Sequence, residues 1–373
     1  MEKQVRIGII GYGKMGSQHS KALMGNKVPH ALLTCVADID PVRIELARAT
    51  YGDALSYYDS AEALIESGSC DAIIPTVPHY YHPPFAIKAF EAGLHVLCEK
   101  PAGVYMSQAK EMVAAAQKSG KVFSMMLNQR TNPLYEKARE MVQGGELGRI
   151  IHANWIITSW FRAQSYYDKS TWRATWKGEG GGVLVNQNPH NLDLWQWILG
   201  MPSRVKATVY YGKHRSIETE DDVYALFEFP GGATGIYTTT IADSPGTNRL
   251  EITGTLGKLV IEENALRFHR LDESIDAFNE RFDGEIGQPK NEVIQIPVEG
   301  TYTSHAGIME NFSAAILDGT PLIAPGEDGL ASLAISNAVH LSSWTGEGWV
   351  DIPCDEAAYN RELASRCGGQ LPV

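Results

Sequence analysis

The chain has 373 residues, of which 44% are hydrophobic and 20% are charged, and its net charge is −12. This length is too great for one small domain, and the apolar content is sufficient for two packed cores. The net negative charge disfavours nucleic acid and anionic membrane surfaces as partners, because both are negatively charged and would repel the protein.

The first third of the chain alternates between short apolar runs and helical patterns. Strands that alternate with helices of this length predict right-handed crossovers and a doubly wound parallel sheet, which is a Rossmann-type domain over residues 1–127. The predicted strands cover residues 5–10, 32–37, 71–74, 94–98 and 122–126. The predicted helices cover residues 17–24, 41–50, 84–92 and 107–119.

From residue 128 the pattern becomes rich in β-branched and aromatic alternation, which is typical of antiparallel strands. We predict an α+β domain over residues 128–373 with a large, open, mostly antiparallel sheet. A helix over residues 133–143 leads into strands at 150–160, 204–211, 223–229, 233–241, 249–254 and 258–262. Helical patterns at 304–317 and 327–343 would cover a sheet face or pack back on the first domain.

Cysteine usage and the start of the chain bear on the compartment. Five cysteines lack CxxC spacing, and their odd number suits a reducing compartment better than a disulfide framework. The first strand-like stretch starts at residue 5, which leaves no room for a signal peptide, and no apolar run is long enough to span a membrane. We therefore expect a cytoplasmic protein.

A glycine string follows the first predicted strand. Gly11 permits a tight turn, Gly13 leaves room for a pyrophosphate at the backbone, and Gly16 lets the next helix pack closely on the sheet. Phosphates would bind the free N–H groups at the start of that helix. A glycine-rich turn alone is weak support for such a site, but Asp38 ends the second apolar run about 20 residues later, where a carboxylate can bind both ribose hydroxyls.

Asp38 also indicates which dinucleotide binds. Its carboxylate would repel a 2′-phosphate, and the next residue is Ile39 rather than an arginine that could neutralise one. The predicted cofactor is therefore NAD, with NADP less favoured. An N-cap for the helix that starts at Pro41 is an alternative role for Asp38.

The sequence resembles the Gfo/Idh/MocA family, which includes glucose–fructose oxidoreductase and inositol dehydrogenase. The most specific matches are Glu-Lys-Pro at 99–101 and Gly-Gly-Gly at 180–182, followed by His-x-x-Asp at 190–193. Weaker matches lie at residues 11–16, 37–41, 78–82 and 326–330. The resemblance implies a Rossmann domain, a C-terminal sheet used for oligomerisation, and NAD(P)-dependent oxidation or reduction of a sugar or polyol.

The predicted cofactor site combines the glycine turn with the ends of later strands. Its members are Gly11, Tyr12, Gly13, Lys14, Met15, Gly16, Asp38, Thr76, Pro78, His82, Glu99, Lys100 and Gln129. His79 and His82 could be mistaken for a metal pair, but neighbouring prolines and the lack of nearby Cys or carboxylate ligands argue against one. No metal is expected.

Lys100 and His190 are the predicted catalytic pair. Oxidation of an alcohol needs a hydride acceptor, a group that polarises the oxygen and a base for its proton. Burial and a positively charged nicotinamide should lower the pKa of Lys100, so that it can exchange a proton. His190 suits the base because imidazole titrates near working pH, although a lone histidine is more often structural and only its motif position identifies it.

Asn186 departs from the family pattern, which commonly has an aspartate four residues before the catalytic histidine. An asparagine can bind a substrate hydroxyl but cannot take its proton, so a relay through this position is in doubt. We still predict a catalytic position there. Asp193, one helical turn after His190, could orient the imidazole, bind another hydroxyl or lie on a solvated surface.

An aromatic and basic stretch at residues 160–177 suits a sugar, whose apolar C–H faces are ringed by hydroxyls. These aromatic side chains could instead fill a domain interface. Asn128 and Arg130 could approach the substrate or stabilise the crossover between domains. The predicted substrate-binding residues are Asn128, Arg162, Trp172, Arg173, Asn186, His190 and Asp193.

The predicted function is hydride transfer between the nicotinamide and a ring hydroxyl or ketone of a sugar, glycoside or inositol. An alternative is an NAD-dependent glycosidase that oxidises the sugar transiently and eliminates the aglycone. A dinucleotide-sensing regulator ranks last, because Lys100 and His190 are both present. The open sheet predicts a homodimer or homotetramer.

Overall fold

The computed structural model describes residues 3–372. Its first sheet has six parallel strands in the order β3-β2-β1-β4-β5-β6, so the order reverses between β1 and β4, where ligands bind in such sheets. The predicted doubly wound fold is confirmed. The strands are β1 (Val5–Ile10), β2 (Ala31–Ala37), β3 (Ser56–Tyr58), β4 (Ala72–Pro75), β5 (His95–Cys98) and β6 (Phe123–Met125).

Helices cover both faces of this sheet, which explains why β1 and β4 are almost continuously apolar. The sequence analysis did not predict β3 or the short helix α3. The helices are α1 (Lys14–Met24), α2 (Pro41–Tyr51), α3 (Ala61–Glu66), α4 (His82–Glu91) and α5 (Met106–Ser119).

The second sheet has nine strands in the order β14-β13-β12-β11-β7-β10-β9-β8-β15. Its pairings are antiparallel except for β7 with β10, as the prediction of a mostly antiparallel sheet requires. The predicted domain boundary at 127/128 lies between the two sheets. The strands are β7 (Ile150–Ile157), β8 (Arg204–Tyr211), β9 (Glu220–Glu228), β10 (Thr234–Thr240), β11 (Asn248–Gly254), β12 (Gly257–Glu262), β13 (Ala265–Leu271), β14 (Asn291–Ile296) and β15 (Val350–Asp351).

Seven helices accompany the second sheet along the chain. Ile308, Met309 and Phe312 of α10 are buried in the core of the first sheet, so this helix packs back on the N-terminal half. Helix α11 lies against β8 and α8. The helices are α6 (Pro133–Gln143), α7 (Gln164–Asp168), α8 (Pro189–Leu199), α9 (Ile275–Arg281), α10 (Ser304–Asp318), α11 (Gly329–Trp344) and α12 (Glu356–Arg366).

The two faces of the second sheet differ in polarity and cover. On one face Trp155 is 1% exposed and packs against Trp195 of α8. The opposite face, which we call the open sheet face, exposes Ile156, Tyr224, Leu226 and Ile236 by 39–53%. Ile236 pairs directly with Leu226, so these two apolar side chains are neighbours on this face.

A buried ion pair joins the end of the first sheet to α8. Arg130, in a short 3₁₀ turn after β6, donates from Nε and Nη2 to Asp193 at 2.8 and 2.6 Å. Its Nη1 donates to Asp328 at 2.5 Å, and its guanidinium lies 5.4 Å from the ring of Trp197. The Arg130 and Asp193 side chains are each 1% exposed, so solvent does not screen their attraction.

Replacing Arg130 should therefore destabilise the protein strongly. We expect Arg130→Met to lower the free energy of unfolding by about 3–5 kcal/mol, because the Asp193 carboxylate is left buried without a counter-charge. The double variant Arg130→Met/Asp193→Leu should recover part of this loss. Urea denaturation measures both.

The control is Arg149→Met, which removes an exposed ion pair. Arg149 and Asp276 lie 3.2 Å apart with side chains 61% and 60% exposed, so we expect a change of at most about 1 kcal/mol. Equal losses of unfolding free energy in the Arg130 and Arg149 variants would contradict the claim that burial makes the Arg130 ion pair more important for stability.

Candidate active site

The glycine turn between β1 and α1 is shaped by close backbone approach. Gly11 has φ of +93°, and a Cβ there would lie 2.8 Å from the carbonyl oxygen of Thr76. A Cβ on Gly16 would overlap the carbonyl oxygen of Gly11. Gly13 precedes α1 and provides no side-chain cap, so the first N–H groups of the helix, from Lys14 onward, suit a phosphate.

Asp38 lies beside this turn. Its Oδ2 accepts the N–H of Tyr12 at 2.6 Å, and its Oδ1 accepts the N–H of Asp40 at 2.9 Å. Each oxygen retains a lone pair that a ribose hydroxyl can use. The alternative role of Asp38 as the N-cap of α2 is wrong, because Asp40 accepts the N–H of Val42 and caps that helix.

Glu99 and Lys100 follow β5, two positions along the sheet from β1. The buried Glu99 carboxylate accepts a hydrogen bond from His19 Nε2 at 2.6 Å. Burial favours the neutral acid, but His19 and Lys100 outweigh it and lower the pKa of Glu99 to about 2. The site therefore contains a permanent negative charge next to Lys100.

Lys100 reaches from the first sheet to the loop before α8. Its Nζ donates to the carbonyl oxygen of Asn186 at 2.8 Å. Burial lowers the pKa of the Lys100 ammonium, and the charge of Glu99 opposes that effect. The ammonium is therefore held in place and is more acidic than an exposed lysine.

His190 lies in the first turn of α8, which begins with Pro189 and ends at Leu199, before Gly200 with φ of +85°. Burial, followed by the charge of Lys100, lowers the pKa of His190 to about 3. Its Nδ1 is buried and has no hydrogen-bond partner among the described residues. The expectation that this imidazole titrates near working pH is wrong, because the ring is neutral there.

Asn186 contacts a carboxylate that the sequence analysis did not identify. Its Nδ2 donates to Glu179, which is 1% exposed and immediately precedes the three glycines at 180–182. Glu179 also accepts the N–H of Ala174 at 2.6 Å. The only signal in the sequence is its position next to the glycine turn, and an acidic residue there is ordinarily solvated.

The aromatic and basic stretch forms a stacked cluster. The guanidinium of Arg173 lies 4.6 Å from the ring of Trp172 and 4.9 Å from that of Tyr166. Arg162 lies 5.4 Å from the same Tyr166 ring. Trp172 is partly exposed, whereas Trp176 is buried against Trp344 and belongs to the core. Arg162, Trp172 and Arg173 are thus brought together.

Two predicted substrate ligands are engaged elsewhere. Both carboxylate oxygens of Asp193 accept hydrogen bonds from Arg130, so Asp193 does not orient His190 or lie on a solvated surface, and the predicted substrate contact is wrong. Asn128 donates from Nδ2 to Tyr302 Oη at 2.7 Å and to Ser304 Oγ at 3.1 Å. Asn128 thus joins the end of the first sheet to the start of α10 and the residue two positions before it. Its buried Oδ1 has no partner among the described residues.

The remaining predicted cofactor ligands follow the carboxyl ends of β1, β4 and β6, which form the edge of the sheet that we call the crevice. Thr76 donates from Oγ1 to the carbonyl oxygen of Gly11 at 2.5 Å, which joins β4 to the glycine turn. The ring nitrogens of His82 contact the carbonyl oxygens of Val77 and Pro101 at 2.9 and 2.8 Å. Pro78 precedes the 3₁₀ turn that leads to His82, Met15 is in the first turn of α1, and Gln129 is in the 3₁₀ turn after β6.

Comparison with known proteins identifies two matching domain models. The GFO/IDH/MocA oxidoreductase family model, described as an NAD-binding Rossmann fold, matches residues 5–127. The GFO/IDH/MocA C-terminal domain model matches residues 135–260. Together the two matches cover more than half of the chain.

Individual relatives are similar over much of their length. The chain is 27% identical to scyllo-inositol 2-dehydrogenase (NAD(+)) of Bacillus subtilis over 70% of this chain and 75% of that protein. It is 24% identical to levoglucosan dehydrogenase of Pseudarthrobacter phenanthrenivorans over 94% and 99% of the two chains. A crystal structure of the WlbA dehydrogenase from Bordetella pertussis with NADH and UDP-GlcNAcA superimposes with a TM-score of 0.80, at 25% identity, over 95% of this chain and 99% of that one.

The glycine turn makes a specific prediction about dinucleotide binding. We expect Gly16→Ala to weaken NADH binding about tenfold or more, because the added methyl group displaces the Gly11 carbonyl from the turn that receives the phosphates. A fluorescence titration measures the affinity, and circular dichroism monitors the fold. Gly348→Ala is the control, since a Cβ there would have no atom within 4 Å. Equal affinities in both variants would place the dinucleotide elsewhere.

Proposed function

The chain belongs to the GFO/IDH/MocA family of NAD-binding oxidoreductases, and we propose that it transfers a hydride between NAD and a ring hydroxyl or ketone of a sugar, glycoside or inositol. The observation that carries this proposal is the hydrogen bond between Lys100 and Asn186, which joins the end of β5 to the loop before His190. One amine and one imidazole thereby flank the crevice beside the glycine turn. The substrate class is supported by the aromatic cluster around Trp172 and by relatives that act on inositol and levoglucosan.

The glycine turn and Asp38 would hold NAD, which when bound would supply the acceptor for the hydride from the carbinol carbon. Lys100 donates a hydrogen bond to the carbinol oxygen and stabilises the negative charge that develops on it. Oxidation also requires a base for the hydroxyl proton. Because burial lowers the pKa of Lys100, its ammonium can release a proton to solvent, and the neutral amine then accepts the hydroxyl proton as the hydride leaves. In the reverse direction the same ammonium protonates the ketone oxygen.

His190 has a different task from the one first expected. An imidazole with a pKa of about 3 is neutral at working pH and retains a ring nitrogen lone pair. The other ring nitrogen carries a hydrogen, which can be donated to the carbinol oxygen so that the hydroxyl hydrogen faces Lys100. A net proton transfer to His190 is disfavoured, because burial and the charge of Lys100 both oppose the imidazolium.

The two alternative functions find no specific support. The relatives reported above are dehydrogenases, rather than glycosidases that eliminate an aglycone. A purely sensing role needs neither a buried amine nor a neutral imidazole at the crevice, and both are present.

Cytoplasmic location is also part of the proposal. The five cysteines at positions 35, 70, 98, 354 and 367 are all buried and unpaired, which suits a reducing compartment. Across residues 3–372 no helix combines the length and apolarity that a membrane crossing requires.

A substrate screen tests the proposed reaction. We expect inositols, aldoses, alkyl glucosides or their keto forms to change the absorbance of reduced nicotinamide, with a higher kcat/KM for NAD than for NADP. Lys100→Met should lower kcat about 10²–10⁴-fold while NADH affinity changes by no more than about threefold, because the lost group acts on the carbinol oxygen. Lys118→Met, on the exposed side of α5, is the control. Unimpaired turnover in Lys100→Met would remove this amine from the mechanism.

We further propose that the open sheet face mediates self-association into a dimer or tetramer. The exposed apolar side chains of Ile236, Leu226 and Tyr224 on this face are costly to leave in water and suit a self-complementary interface.

Charges on this face should disrupt the assembly. We expect Leu226→Lys/Ile236→Lys to give a monomer, measured as molar mass by light scattering during size-exclusion chromatography, because two ammonium groups would be buried without partners. Ile286→Lys is the control, since Ile286 is 95% exposed and lies in a loop outside the face. An unchanged mass in the double variant would exclude this face as the interface.

A further inference from the structure

Glu179 is a buried carboxylate within the candidate site, and neither the proposed mechanism nor the predicted site residues include it. Its side chain is 1% exposed, and one oxygen accepts the N–H of Ala174 at 2.6 Å. The other oxygen accepts from Asn186 Nδ2 and from Arg173 Nη1, the latter at 3.4 Å. Its own carbonyl oxygen contacts His79 Nδ1 at 3.0 Å, so both its backbone and its side chain are held.

The contact with Glu179 determines which way the Asn186 amide points. Burial raises the pKa of Glu179, whereas the Ala174 N–H, Arg173 and the Asn186 amide favour its ionised form. As a carboxylate it only accepts hydrogen bonds, so the amide nitrogen of Asn186 faces it and the amide oxygen turns away. That oxygen accepts instead from Gln187 Nε2 at 3.1 Å. Asn186 is thus left with one further N–H donor, whose direction Glu179 fixes.

The same carboxylate acts on Lys100. Asn186 receives the Lys100 hydrogen bond on its backbone carbonyl while its side chain contacts Glu179. That carbonyl hydrogen bond favours the ammonium, but Asn186 has no net charge that could balance it. The negative charge of Glu179 raises the pKa of Lys100 and, with Glu99, opposes the effect of burial.

We propose that Glu179 is a positioning residue of the active site: its carboxylate orients the side-chain amide of Asn186 toward the substrate and supplies a negative charge that keeps Lys100 an ammonium. This inference rests on the proposed function for its catalytic consequence. The effect of Glu179 on Asn186 and Lys100 involves residues of this chain alone, so it can be measured without a substrate.

The first test measures the ionisation of Lys100 directly. The full-length protein is labelled with acetic anhydride over a range of pH, and mass spectrometry follows acetylation of Lys100. Removing the negative charge favours the neutral amine, so in Glu179→Gln we expect the titration of Lys100 to move to lower pH by about 1 unit. The titration should not move in Glu218→Gln.

Glu218→Gln is a matched control because it makes the same chemical change in the same region. Glu218 accepts the N–H of Trp176 at 3.1 Å, as Glu179 accepts that of Ala174, but Glu218 is exposed and does not contact Asn186.

The second test is kinetic and uses a substrate found by the screen. Glu179→Gln should lower kcat about 10–100-fold with KM changed by no more than about threefold, because a misplaced donor affects the transition state more than binding. The limb of the pH profile that reports Lys100 should move to lower pH. Glu179→Asp keeps the charge and should recover part of the activity and of the labelling titration.

An unchanged Lys100 titration in Glu179→Gln would overturn the proposal. A loss of kcat together with a lower thermal midpoint, an unchanged pH limb and no recovery in Glu179→Asp would also overturn it, since that combination indicates a role in folding alone. If Glu179→Gln does not fold, the titration of Lys100 in Glu179→Asp tests the proposal instead. The shorter aspartate places its carboxylate farther from Lys100, so the titration should still move to lower pH, and an unchanged titration would overturn the proposal. If the wild type oxidises no sugar or polyol, the proposed function fails while the labelling result for Glu179 still stands.

Discussion

The buried pair between Arg130 and Asp193 determines how the two halves of the site meet. Arg130 follows the last strand of the first sheet, and Asp193 lies one turn after His190 on α8. The two hydrogen bonds between them therefore fix the helix that carries the imidazole against the sheet that carries Lys100. Because both side chains are excluded from water, a shift of α8 would separate charges in a medium of low dielectric constant. The position of His190 relative to Lys100 therefore depends on this restraint.

The charges inside the crevice are balanced in an unusual way. A single ammonium, Lys100, lies between two buried carboxylates, Glu99 and Glu179, while the nearby imidazole of His190 is neutral. Burial lowers the pKa of Lys100 and each carboxylate raises it, so the acidity of the ammonium reflects the balance between burial and the two negative charges. A site built in this way keeps a charged donor in a poorly hydrated space and still allows it to exchange protons.

Local sequence patterns predicted five of the six strands of the Rossmann sheet, and the resemblance to the family singled out Lys100 and His190, which lie after β5 and in the first turn of α8. Elements with little or no visible periodicity were missed, such as β3 with three residues and β14 with its mostly exposed side chains. The roles of Asp193 and Glu179 depend on partners 63 and 7 residues away, respectively, and on burial. The spacing of residues along one helix does not show which residue forms a salt bridge with Asp193. It also does not show that the surroundings lower the pKa of His190.

Helix α10 has a consequence for how this polypeptide is made. Phe312 and its neighbours on that helix complete the core of a sheet whose strands all lie before residue 126. A nascent chain on the ribosome therefore has the whole parallel sheet outside the exit tunnel long before the residues that seal one side of it are synthesised. Until then an apolar surface stays open to chaperones, and the N-terminal half acquires its final packing only when translation is nearly finished.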